Sequence, residues 1–101
     1  MSDKRKFLRI NSVDLNPKLK NVVIRFSGVN VDAEVENLSR LGICLKARRI
    51  EFIKKGDLIL ISFPDLDLQL SSICIYCEIN DDSVDIGAYF MNMLEEDILL
   101  N

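Results

Sequence analysis

The sequence predicts an all-β fold: a six-stranded antiparallel β-barrel, closed or nearly so, with an irregular N-terminal arm and a short C-terminal α-helix. Three observations carry that prediction. Apolar and polar residues alternate with a period of two over most of the chain. Turn-forming residues fall between the alternating runs, and only the last ten residues have a helical character. Closure suits such a chain, because a barrel leaves no sheet edge exposed. At 101 residues and 49% hydrophobic content, the sequence makes one domain with a modest core.

Residues 1–20 are polar, with Pro17 and several Asn, and read as a mobile arm and linker; residues 21–101 read as the barrel with its helix. Val22, Ile24 and Phe26 form one face of the first strand, and S-G-V-N supplies turn residues. Val31, Ala33 and Val35 then alternate with Asp32, Glu34 and Glu36. Beyond the segment Asn37 to Leu45, N-L-S-R-L-G-I-C-L, the alternation resumes with Ile43 and Leu45 inward and Lys46 outward. Lys55-Gly56-Asp57 makes a turn before Leu58 to Phe63, and Pro64 ends that strand because it cannot donate to a ladder. The fifth strand, about Leu68 to Ile79, slips phase at Ser71-Ser72, which predicts a bulge or corner there. Asp81-Asp82-Ser83 turns the chain into Val84, Ile86, Ala88 and Phe90 on one face. In N-M-L-E-E-D-I-L-L-N, Asn92 is the expected helix cap with Glu95 at the capping-box position. Leu94 and Ile98 are its expected buried face, and Met91 and Met93 read as core or helix packing. Tyr76, Tyr89 and Phe90 read as barrel packing or surface aromatics.

Composition narrows the function. The longest apolar run, Leu58 to Phe63, is far too short to span a bilayer, and the charged N-terminus has no signal-peptide core; the expectation is a cytoplasmic protein without membrane insertion. Cys44, Cys74 and Cys77 are an odd set, and Cys74 and Cys77 at i and i+3 of a strand should point to opposite faces. With no histidine and no second C-x-x-C, the thiols read as structural and no metal or cofactor is expected. Lacking histidine, a nucleophile motif and a recognisable carboxylate pair, the chain is not expected to be an enzyme. Residues 1–55 hold all 13 basic groups against 6 acidic ones, whereas residues 56–101 hold 10 acidic groups and no basic one. That asymmetry points to an anionic partner for the N-terminal half. The acidic second half and the lack of interleaved aromatics argue against polynucleotide binding.

The arm contains R-K-F-L-R, with Arg5 and Arg9 four residues apart and so on one side of either an extended or a helical segment. Two guanidinium forks can converge there on phosphate oxygens or on O6 and N7 of guanine. Downstream, Asn37, Ser39 and Gly42 form N-x-S-x-x-G, combining a base-edge partner, a hydroxyl and a residue free to adopt positive φ.

R-x-x-x-R followed by N-x-S-x-x-G on a six-strand pattern, with Gly56 before a strand and I-G-A-Y-F (Ile86 to Phe90) before the terminal helix, resembles the PilZ domain family over nearly the whole chain. The resemblance implies a Greek-key type barrel and a bacterial receptor for the messenger cyclic di-GMP. It implies that Arg5 and Arg9 grip guanine and phosphate from the arm, that Asn37 and Ser39 contact the ligand from the barrel, and that Gly42 permits a tight backbone. Lys4 and Arg40 are secondary candidates: Lys4 precedes the first arginine, a vicinity that in this family influences whether one or two ligand molecules bind, and Arg40, inside the loop, either adds phosphate attraction or points into water. Ordering of the arm over the ligand would signal to an unidentified protein partner in motility, biofilm or virulence control, from a monomer or weak dimer. The alternative is an adaptor of the same fold that binds a protein without the dinucleotide.

Overall fold

The structure, a computed structural model, describes residues 9–100. Among the described residues there are seven strands: β1 (Ile10–Asn11), β2 (Asn21–Phe26), β3 (Val29–Leu38), β4 (Gly42–Arg48), β5 (Leu58–Phe63), β6 (Leu68–Asn80) and β7 (Ser83–Phe90), followed by helix α1 (Glu96–Leu100). The order β3-β2-β5-β6-β7-β4 closes through pairing of β4 with β3, giving an antiparallel six-stranded barrel; β1 lies outside, paired with the end of β3. Four of the barrel connections are hairpins, and the fifth, residues 49–57, crosses one end of the barrel. Among the described residues, no helix is long and apolar enough to cross a membrane.

The period-two pattern fills the barrel as expected. Val22, Ile24, Val31, Ala33, Val35, Ile43, Leu45, Val84, Ile86 and Ala88 are all buried inside. Ser27 and Gly28, with φ of 51° and 79°, turn β2 into β3, and Gly56, with φ of 94°, turns the chain before β5. Ile50 and Ile53 in the crossing connection are buried as well and stop that end of the barrel. Residues 10–20 are more tightly held than their polar composition indicates. Ile10 pairs opposite Leu38, a 3-10 turn spans Pro17–Leu19, and Leu15 and Leu19 are buried in the core. The expectation of a mobile arm therefore fails for residues 10–20, and residues 1–8 lie outside the described residues.

Two β-bulges set the side-chain directions. In β3 the register shifts between Val35 and Asn37, so Val35 points inward while Asn37 points outward and Leu38 returns to the core. In β6 the shift falls between Cys74 and Tyr76, not at Ser71-Ser72. The inward face of β6 therefore continues through Leu70, Ser72 and Cys74, and Ser72 is buried with its hydroxyl donating to the Leu70 carbonyl at 3.2 Å. The bulge also puts Cys77, opposite Ile86, on the same inward side as Cys74, opposite Ala88; the two thiols do not diverge as a regular strand requires. Both are free thiols.

Burial pushes the Cys74 thiol up from 9.0 to about 11, with smaller contributions from Cys77 and Asp57, and burial raises Cys77 in the same direction. A raised thiol stays protonated in the folded chain while its unfolded counterpart ionises. The contribution to stability is thus complete below about pH 9 and is lost as pH rises toward 11. Urea midpoints measured across that window are expected to fall, and the fall should be shallower in Cys74→Val.

The C-terminal segment departs from the sequence expectation. The helix begins at Glu96, and residues 91–95 are non-helical. The Met91 amide donates to the Ser71 carbonyl and the Leu94 amide to the Arg40 carbonyl, both at 2.8 Å, which holds this stretch against the barrel and denies Asn92 a capping role. Leu94 and Leu99 are buried, Ile98 is half-buried, and Met91 and Met93 are exposed instead of packed.

Candidate functional site

The bulge in β3 gives Asn37 an outward position opposite Cys44 on β4, which pairs in turn with Gly87 on β7, opposite Tyr76 on β6. One row across four strands thus reads Asn37, Cys44, Gly87, Tyr76. Gly87 is there because of what covers it: a Cβ on this residue would collide with the Tyr76 ring. The Tyr76 ring lies over the glycine, is partly exposed, and its hydroxyl donates to the Cys44 sulfur at 3.2 Å. That hydrogen bond to Cys44, helped by burial and by the charges of Cys44, Asp85 and Glu36, pushes the phenol up to about 12. Lys46 lies 3.9 Å from Glu36 and moderates the local negative charge.

Arg9 reaches this row from the segment before β1. Its Nη1 donates to Oδ1 of Asn37 at 2.5 Å and approaches the Cys44 sulfur at 3.9 Å. One residue of R-x-x-x-R therefore touches one residue of N-x-S-x-x-G across 28 positions of sequence. Arg5 and Lys4 lie outside the described residues.

Ser39 and Gly42 serve the turn between β3 and β4. The buried Ser39 hydroxyl accepts from the Leu41 amide at 3.3 Å and the Gly42 amide at 3.2 Å, while its own amide donates to the Gly42 carbonyl at 2.9 Å. Ser39→Ala should accordingly destabilise the fold by about 1–2 kcal/mol, read as a lower urea midpoint. Gly42 does not adopt the positive φ expected of it, a conformation the glycines reserve for Gly28 and Gly56. It is required by close approach, since a Cβ would sit 2.7 Å from the Ala88 carbonyl oxygen and 3.2 Å from Cδ1 of Tyr89. Arg40 donates from Nε to the Leu94 carbonyl at 2.9 Å and fastens the C-terminal segment to this turn.

The sequence reading missed Cys44 and Tyr76 as members of this surface. The signal for Tyr76 is a glycine that comes to lie opposite an aromatic, and it becomes visible only once the β6 bulge is placed. Among the described residues, no group of three or more Cys, Asp or Glu side chains is arranged to hold a metal ion. The chain matches no known protein-family model, and no curated protein is significantly similar to it.

Proposed function

We propose that the protein is a cyclic di-GMP receptor that binds the dinucleotide on the surface formed by Arg9, Asn37 and Tyr76. The observation that carries this reading is the contact between Arg9 and Asn37, which joins the two short motifs in one place. An arginine fork and an Asn amide together match the donor and acceptor pattern of a guanine edge, and the guanidinium also serves a phosphate. Tyr76 adds a flat ring on which a guanine can stack. Ser39 and Gly42 act by shaping the turn, and Arg5 completes the grip from the arm, with Lys4 beside it.

The energies are of comparable size. Binding at micromolar strength corresponds to about 8 kcal/mol. A good bidentate arginine–guanine pair contributes about 1–3 kcal/mol of discrimination. Fixing a residue costs about 1–2 kcal/mol, so a ligand can order only a short stretch. With residues 10–20 already packed, the proposed ordering step falls on the residues before Arg9, and the ordered arm presents a new surface to a protein partner.

Amide chemical shifts test the location. Titration with cyclic di-GMP should move Asn37, Cys44, Tyr76 and Gly87 most, and changes confined to the opposite wall of the barrel would contradict the site. Tyr76→Ala should weaken binding roughly tenfold, the loss of one stacked base, measured by calorimetric titration. A second reading, an adaptor that binds a protein without the dinucleotide, is favoured by the exposed apolar side chains Leu58, Tyr89 and Met91.

A further inference from the structure

The outward positions of β5 and β6 carry no charge over Leu58 to Ser62 and Gln69 to Ile73. Leu58, Ile73 and Tyr89 lie in one cross-strand row, and Leu60 opposite Ser71 begins a second row beside it. The Ser71 carbonyl holds the Met91 amide, which brings Met91 to the edge of the same face. Leu58, Tyr89 and Met91 are 58%, 54% and 57% exposed, an apolar grouping of the kind that marks an interface.

The charges around the row say what fits it. Lys54 and Lys55, both exposed, stand in the turn immediately before Leu58, and the exposed Arg25 on β2 pairs opposite Leu60. All three therefore border the β5 end of the patch. Among the described residues, no carboxylate forms an ion pair with any of them; the pairs there join Lys46 to Glu36 and Arg49 to Glu51. Asp57 lies nearby, but its carboxylate accepts from the Lys54 amide at 2.8 Å and is committed to the turn. At the other end of the row Tyr89 pairs with Gly42, next to the exposed Leu41. The Leu94 amide is fastened to the Arg40 carbonyl at that end, and the exposed Glu95, Glu96 and Asp97 follow it. The patch is thus basic at its β5 end and acidic at its far end. A broad anionic lipid surface laid on it would meet both ends at once, whereas a narrow rod can present its carboxylates to the basic end alone.

The spacing of the row suits a helix. Neighbouring strands lie about 4.8 Å apart, and an α-helix advances about 5.4 Å per turn. A helix laid across the strands therefore sets one apolar side chain per turn against Leu58, Ile73 and Tyr89 in succession. From this we infer that the β5–β6–β7 face docks an amphipathic helix of a partner protein whose carboxylates cluster at the end lying over β5. Its apolar stripe rests on Leu58, Ile73, Tyr89 and Met91, and its acidic end meets Lys54, Lys55 and Arg25. The interface covers only three strands and is small. The inference goes beyond the receptor reading and does not rest on it, since the test is made without dinucleotide.

The test is a selection from a display library of random peptides, about four helical turns long, on the full wild-type chain. Enriched peptides should carry apolar residues at helical spacing and Asp or Glu at one end. Leu58→Asp, an exposed substitution checked by circular dichroism to leave the fold intact, should abolish their binding. Lys54→Glu with Lys55→Glu should weaken it at least tenfold, and a peptide with Lys in place of its acidic residues should bind that variant again. Enriched peptides without acidic residues would overturn the inference, as would a lysine reversal that leaves their binding unchanged. So would a selection that enriches nothing, whether the face is taken up by a second copy, seen as a dimer in sedimentation, or by vesicles of phosphatidylglycerol.

Discussion

Arg9→Ala is expected to weaken cyclic di-GMP binding by about 100-fold or more, the largest loss of any single substitution in the described site. The residue makes charge-assisted contacts, each of about 1.5–3 kcal/mol, and every 1.4 kcal/mol is a factor of ten in affinity. Its position is already set without ligand by the hydrogen bond to Asn37. That contact is exposed, so its loss should leave the melting temperature nearly unchanged. A calorimetric titration beside a thermal melt separates the two effects. Arg9→Lys should recover only part of the affinity, because an ammonium keeps the charge but loses the planar fork. Full recovery would mean that charge alone is read.

Gly42→Ala should have the largest effect on the fold. The added Cβ would meet the Ala88 carbonyl oxygen at 2.7 Å, a backbone atom on the neighbouring strand with no rotamer to escape into. This is the seam where β4 pairs with β7, opposite Tyr89. Overpacking of this kind costs about 1–3 kcal/mol. For a domain of this size each kcal/mol lowers the melting temperature by roughly 4–8 °C, so a drop on the order of 10 °C is expected. By contrast, the three atoms nearest the Cβ of Gly87→Ala all belong to the Tyr76 ring, a side chain that can swing aside. That variant should melt near wild type and lose affinity as Tyr76→Ala does.

The barrel was legible because its strands bury one face and expose the other. In β7 every inward position, Val84, Ile86, Ala88 and Phe90, is apolar and buried, and the alternation places the strand to within a residue. In β6 the same logic fails locally. Ile73, Cys74, Ile75, Tyr76 and Cys77 give apolar residues on both parities, so a phase slip can be detected but not positioned. The slip falls at Cys74–Tyr76, and that placement turns Tyr76 outward and Cys77 inward. The bulge in β3 leaves a clearer trace, since the inward set passes from Val35 to Leu38, an odd step that period two forbids.

The candidate site was half legible. Arg9 and Asn37 were singled out as members of two short motifs, and their contact required only that β1 pair with the end of β3. Ser39 and Gly42 belong to the same motif, but the bonds they make are within the turn, and the closeness of Gly42 to Ala88 depends on the barrel seam. Local sequence does not encode that long-range approach. The terminal segment shows the converse. Its residues have good helix chemistry, yet the Arg40 carbonyl holds the Leu94 amide and delays the helix until Glu96. That bond in turn leaves Met91 and Met93 at the surface.

The most direct test is a calorimetric titration of the full wild-type chain with cyclic di-GMP. The receptor reading predicts saturable binding at micromolar strength or tighter, absent from the Arg5→Ala/Arg9→Ala double variant. A folded wild type that gives no binding heat and no shift of the Asn37 amide would contradict it, leaving the ligand-independent adaptor.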